Sequence, residues 1–303
     1  MEGKNIVLSY KNPDTDGVAC SIGMATLLTT EDEKWEPMVI GAIGKETQYV
    51  LQKTGISIPE EISSFDDVER IVLVDTHHIA QLPEHFPCEK VTLIIDHHPN
   101  GNDEAFPNAK IINEKIGAAA SIVAEKLIKK GLPDADVTLM LGCAIISNTL
   151  NFTAPSTAEY DCEMFEKVND IVVVPEQVIN EMFEKRSSIL KEDIYDALNS
   201  DFKIFETEVG SVGISQIEAY NLDDMIDIQQ AVAALEKIAK ERKLEYCMFN
   251  GVDIKTQKSI VLAANSDSAD LICKIFNIDQ YAAPIKFDRI LLRKTDFVPP
   301  LNV

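Results

Sequence analysis

Short apolar runs alternate with helical stretches through the first half of the chain. Residues 5–9, 71–74 and 91–95 are short, mainly apolar runs, and 37–43 is strand-like. Residues 17–28, 117–129 and 137–147 carry the small and aliphatic residues of packed helices. Apolar runs of strand length without in–out alternation belong to strands buried on both faces, as in a parallel sheet. The pattern predicts an α/β layer domain. After a charged, helix-prone stretch at 176–199 the rhythm changes. Strands are predicted at 202–205, 209–217, 247–252, 259–264 and 289–292, with a helix at 225–242. Strands and helices mix there without a regular βα order, which predicts a smaller, separate, mixed α/β domain. With 303 residues the chain has room for two domains. They are expected at residues 1–188 and 193–303.

Charge narrows the partners. Asp and Glu number 50 against 28 Lys and Arg, a formal charge of −22. Duplex binding depends on clustered Lys and Arg, so a nucleic-acid partner is disfavoured. A small phosphate compound remains open, because bound divalent cations can supply the local positive charge it needs. The N-terminus has only a short apolar stretch, and no run approaches the ~20 apolar residues of a membrane span. The expected address is cytoplasmic, with no membrane partner. Six scattered cysteines without CxxC spacing read as reduced, mostly buried thiols.

Three of the predicted strands end directly in acidic or histidine-bearing loops. Residues 6–8 lead to Asn12-Pro13-Asp14-Thr15-Asp16-Gly17, 71–74 to Asp75-Thr76-His77-His78, and 91–95 to Asp96-His97-His98. In an open parallel sheet the carboxyl ends of neighbouring strands face one crevice, where ligands bind. Carboxylates suit Mg²⁺ and Mn²⁺, imidazoles suit transition ions, and the mixture points to a two-metal centre. The plainer reading, in which these aspartates only cap helices, accounts for one acidic loop but not for three in register with histidine.

Together with Ser147-Asn148-Thr149, Phe152-Thr153-Ala154-Pro155-Ser156 and Leu292-Arg293-Lys294-Thr295, these loops resemble the ordered motifs of the family II, manganese-type inorganic pyrophosphatases. The resemblance spans nearly the whole chain. It implies an N-terminal DHH domain and a C-terminal DHHA2 domain with the active site in the cleft between them. It also implies hydrolysis of a phosphoanhydride, inorganic pyrophosphate first, with two or more divalent ions (Mn²⁺ or Mg²⁺, with Co²⁺ also compatible). Asp14 and Asp75 would hold one ion and Asp16, Asp75 and His97 the other, with Asn148 at a further ligand position. Paired ions can share and acidify the attacking water. By the same resemblance His98 would face the substrate, and Lys203, Arg293 and Lys294 would grip phosphate. A homodimer is compatible with it.

Positions at the ligand and phosphate sites depart from the family pattern. Tyr10 stands where the pattern has histidine, and Asn148 where it has a metal-binding aspartate. Thr153 and Thr295 replace lysines. The first two changes remove a nitrogen donor and a negative charge, which should weaken metal binding and favour Mg²⁺. One of His77 and His78 could supply the missing nitrogen. Three readings follow: a pyrophosphatase with altered metal preference, a related hydrolase of short polyphosphate or nucleotide phosphates, and a silent phosphate- or nucleotide-binding sensor.

Overall fold

The computed structural model describes residues 3–301. The chain divides into two compact units, Met1–Met182 and Phe183–Val303. The first unit holds six strands: β1 (Lys4–Leu8), β2 (Trp35–Val39), β3 (Glu60–Glu61), β4 (Val68–Val74), β5 (Val91–Asp96) and β6 (Lys110–Asn113). Their order is β3-β2-β1-β4-β5-β6, and every pairing is parallel. The chain builds outward from β1 on one side and then returns to build from β4 on the other. Loops leaving the carboxyl ends of β1 and β4 therefore diverge, and a crevice opens at that switch point.

Burial explains the apolar runs. Ile6, Leu8, Ile71, Leu73 and Ile94 pack with Leu82, Phe86 and Phe106. Val7, Val72 and Val74, which point to the opposite face, are buried as well. The helices of this unit are α1 (Thr15–Leu28), α2 (Lys45–Thr54), α3 (Ala119–Lys130), α4 (Ala135–Asn148) and α5 (Glu159–Ile171). The helices α1, α3 and α4 pack on one another, and α1 and α3 reach the strands. The short strand β6 and the helices α2 and α5 were not marked by any apolar run long enough to predict them.

The helix-prone stretch at 176–199 resolves into three pieces, α6 (Glu176–Ser187), α7 (Ile189–Glu192) and α8 (Ile194–Ser200). The second sheet contains β7 (Phe202–Thr207), β8 (Gly210–Ala219), β9 (Tyr246–Asp253), β10 (Lys258–Ala263) and β11 (Ile285–Phe287), in the order β11-β10-β9-β8-β7. Only β8 and β9 pair in parallel. Helices α9 (Leu222–Met225), α10 (Ile228–Arg242) and α11 (Ser266–Phe276) complete the unit. One core gathers Leu235, Ile238, Phe249 and Leu262, and another gathers Ile214, Met248, Val261, Ile272 and Phe297. This is the mixed α/β unit expected.

The strand expected at 289–292 is not formed. The edge strand is β11, a few residues earlier, and the chain then leaves the sheet. Side chains take the backbone donors instead: Leu291 N donates to Ser259 Oγ (2.8 Å) and Leu292 N to Asp296 Oδ2 (2.8 Å). A π-helical turn, Arg293–Phe297, follows.

Candidate metal centre

The loops after β1, β4 and β5 line the crevice at the switch point of the first sheet. Asp75 follows β4 with φ +59°, a left-handed conformation that costs a non-glycine residue roughly 1–2 kcal/mol. Its amide donates to Ile95 O of β5 at 2.7 Å, which holds the turn. The carboxylate is buried, and its Oδ1 accepts no hydrogen bond. Burial pushes the Asp75 carboxyl well above the usual carboxylate range, and the negative charges of Asp16 and Asp14 push it further.

Asp96 organises the histidines. Its Oδ1 accepts from His97 N (2.7 Å), His98 N (3.1 Å) and His98 Nδ1 (2.8 Å), while Oδ2 meets His77 Nδ1. Burial pushes this carboxyl up, but the bonds from His98 and His77 outweigh it and bring it down to about 2. The bond to Asp96 in turn raises the His98 imidazole, leaving Nε2 as its free ring nitrogen.

His97 Nδ1 lies 2.9 Å from Ile116 O. A carbonyl only accepts, so Nδ1 carries a hydrogen. In the neutral ring Nε2 then presents a lone pair, and it lies 3.2 Å from Asp75 Oδ1. A lone pair facing a buried carboxylate oxygen that has no donor is relieved by a proton on that carboxyl, which burial favours at Asp75, or by a cation. Asn148 Nδ2 also lies 3.2 Å from His97 Nε2. Asp75, His97 and His98 each offer one ligand atom, all within 4.8 Å of one another, the one such group among the described residues. Carboxylate oxygen and imidazole nitrogen together fit a divalent ion of the Mn²⁺ or Mg²⁺ kind.

Other residues expected here have different surroundings. Asp14 is exposed and caps α1, accepting from Gly17 N at 3.1 Å. Asp16 is buried and caps a distant helix, taking Ala119 N and Ala120 N at the start of α3 (both 2.8 Å), with Asn148 Nδ2 at 3.0 Å and Cys20 Sγ at 3.4 Å. Burial raises its carboxyl to about 6. The Tyr10 hydroxyl accepts from Asp14 N at 3.3 Å. Burial, then Asp14 and Asp75, raise that phenol and keep it protonated. His77 is committed to Asp96 and lies 3.5 Å from Asp103, and His78 stands outside the ligand group. Beside His97 and His98 opens a cavity of about 770 Å³, walled by Pro99, Ile116, Pro155 and Ala158, with Lys115 at its edge.

Two family models divide the chain as the two sheets do. The DHH family N-terminal domain matches residues 4–146, and the DHHA2 domain matches residues 180–303. The chain belongs to the DHH–DHHA2 superfamily, in the family II pyrophosphatase group. A probable manganese-dependent inorganic pyrophosphatase of Clostridium acetobutylicum is 27% identical over 100% of this chain and 98% of its own length. The manganese-dependent inorganic pyrophosphatase of Methanocaldococcus jannaschii is 29% identical over 98% and 97%. The crystal structure of a putative family II inorganic pyrophosphatase from Methanococcus jannaschii superposes with a TM-score of 0.68 at 29% identity, covering 97% of each chain.

Within the DHHA2 domain, Arg293 is buried and engaged. Its guanidinium donates to both oxygens of Asp201 (2.9 and 2.8 Å), to Asp201 O (2.6 Å) and to Ile214 O (3.0 Å). Its Nε has no partner. Lys203, on β7, is exposed with Nζ 3.5 Å from the same Asp201 carboxylate. The Lys294 side chain lies outside the described part of the structure. Asp96, read from its strand end as one of the acidic residues of the site, positions the histidines, whereas Asp201 and Ile116 carried no signal in the sequence and were missed.

Proposed function

We propose that this chain hydrolyses a phosphoanhydride in a metal-dependent reaction, with inorganic pyrophosphate as the substrate. The observation that carries the reading is the buried, donorless Asp75 Oδ1 facing His97 Nε2 at 3.2 Å, at the switch point of a DHH domain. A divalent ion bound there would supply a Lewis acid that acidifies water and offsets phosphate charge. Asp75 and His97 would hold it. His98, raised by Asp96, would present a proton-bearing Nε2 to the phosphate. The basic pair Lys203 and Arg293, with Lys294, would bind phosphate once Asp201 gives way to the more highly charged substrate. A cytoplasmic location, a small phosphate compound rather than nucleic acid as partner, and a homodimer extend this reading, while the pair of ions that the resemblance implies meets a single ligand group among the described residues. No helix among the described residues is long and apolar enough to cross a membrane.

The partly apolar cavity beside His97 and His98 favours a second reading, a nucleotide phosphoanhydride whose organic part occupies that space. Phosphate release from pyrophosphate, tripolyphosphate and nucleoside diphosphates with Mg²⁺, Mn²⁺ or Co²⁺ distinguishes the two. Pyrophosphate is expected to turn over fastest, and Asp75→Ala is expected to abolish turnover. Faster release from a nucleoside diphosphate would move the assignment to the second reading. Activity that survives Asp75→Ala would remove the metal assignment.

A further inference from the structure

We infer that Asn148 stands in for a cation between Asp16 and His97, so that this chain holds one divalent ion, at Asp75 and His97, and not two. The inference rests on the metal-dependent reading above. Asn148 Nδ2 lies 3.0 Å from Asp16 Oδ2, 2.9 Å from Gly117 O and 3.2 Å from His97 Nε2. Turning the amide over would set its oxygen against the Asp16 carboxylate and the Gly117 carbonyl, both acceptors, so the chemistry of its neighbours fixes the nitrogen inward.

An amide nitrogen carries two hydrogens, and here it has three acceptors. One acceptor is therefore always left over. An ion at Asp75 that takes the His97 lone pair resolves the surplus, because Asn148 then serves Asp16 and Gly117 alone. Asp16 needs no ion of its own: backbone amides at the start of α3, Cys20 and Asn148 already donate to its two oxygens. The donorless oxygen is on Asp75. A carboxylate at position 148 would reverse the arrangement. It would put a second negative charge about 3 Å from Asp16 and leave Gly117 O without its donor, a cluster that a further cation would have to neutralise.

The test is ion stoichiometry on the full chain, independent of turnover. Protein stripped with EDTA is titrated with Mn²⁺ by calorimetry and equilibrium dialysis, and frozen samples are read by electron paramagnetic resonance. The wild type is expected to bind one Mn²⁺ per chain with the hyperfine pattern of an isolated ion. Asn148→Asp is expected to bind two, with the broadened spectrum of a coupled pair, and Asn148→Ala one. Two Mn²⁺ in the wild type overturns the inference, and so does a folded Asn148→Asp that still binds one. If Asn148→Asp does not fold, the wild-type stoichiometry decides alone. Absence of binding in the wild type and in Asn148→Asp would instead overturn the metal-dependent reading itself. Asp75→Asn is expected to bind none, and retention of the ion there would overturn its placement.

Discussion

Asp75 and Asp16 are buried carboxylates a short distance from the same imidazole, yet only Asp16 has donors. Both carboxyls are raised, Asp16 to about 6, above the value near 3.9 of an unfolded aspartate. The metal-free folded chain therefore binds more protons than the unfolded one across that interval, and its stability falls as pH rises through it. His98, raised by Asp96, acts in the same direction, because its stabilisation is present below an unfolded histidine's value near 6.5 and is lost above the folded one. In EDTA the protein should melt at a higher temperature near pH ~5 than near pH ~7, and saturating Mn²⁺ should flatten that slope. A melting temperature that climbs with pH in EDTA would count against the buried, unpaired Asp75. Arg293 makes a second residue-level case. Its four hydrogen bonds to Asp201 and Ile214 make it part of the DHHA2 core, so Arg293→Ala should cost about 2 kcal/mol or more of stability, besides any loss of phosphate binding. An unchanged melting curve would leave Arg293 with a ligand role alone.

At the scale of elements, the site is a set of strand and helix ends. The strands β1, β4 and β5 were readable because each is buried on both faces and so lacks polar interruption. The end of α4 was not readable in the same way. Asn148 closes that helix, and Leu150, Asn151 and Phe152 then run left-handed with φ of 49°, 54° and 64° and no glycine among them. Asn151 N to Ile146 O and Ala154 N to Thr149 O hold this turn, and such pairings are invisible in composition. The start of the DHHA2 domain is likewise decided by packing. Phe183 is fully buried and stacks on Tyr220 with ring centroids 5.5 Å apart, and Ser187 Oγ accepts from Tyr220 N at 2.9 Å. A fragment of residues 180–303 should therefore melt well above one of residues 193–303, because removing a buried phenylalanine costs about 3 kcal/mol or more. Equal melting temperatures would support a domain that begins at 193.

For the whole molecule, the charge of −22 sets a repulsive field for any polyanion. Screening should weaken that field, so kcat/KM for pyrophosphate is expected to rise as salt goes from low ionic strength to about 0.15 M. A fall over the same range would mean that local positive charge outweighs the net field at the site. The amino-acid order by itself determined the two-domain α/β plan, the convergence of Asp75, Asp96, His97 and His98, and the family, because strand burial and strand-end loops are local patterns. Only the tertiary structure decided which of those groups is left without a partner. Asp16 finds its donors at Ala119 and Ala120, Asn148 turns its nitrogen toward Asp16 and Gly117, and Arg293 is held by Asp201. Hydrogen-bond satisfaction is a property of neighbours in space, and these neighbours are far apart in the chain.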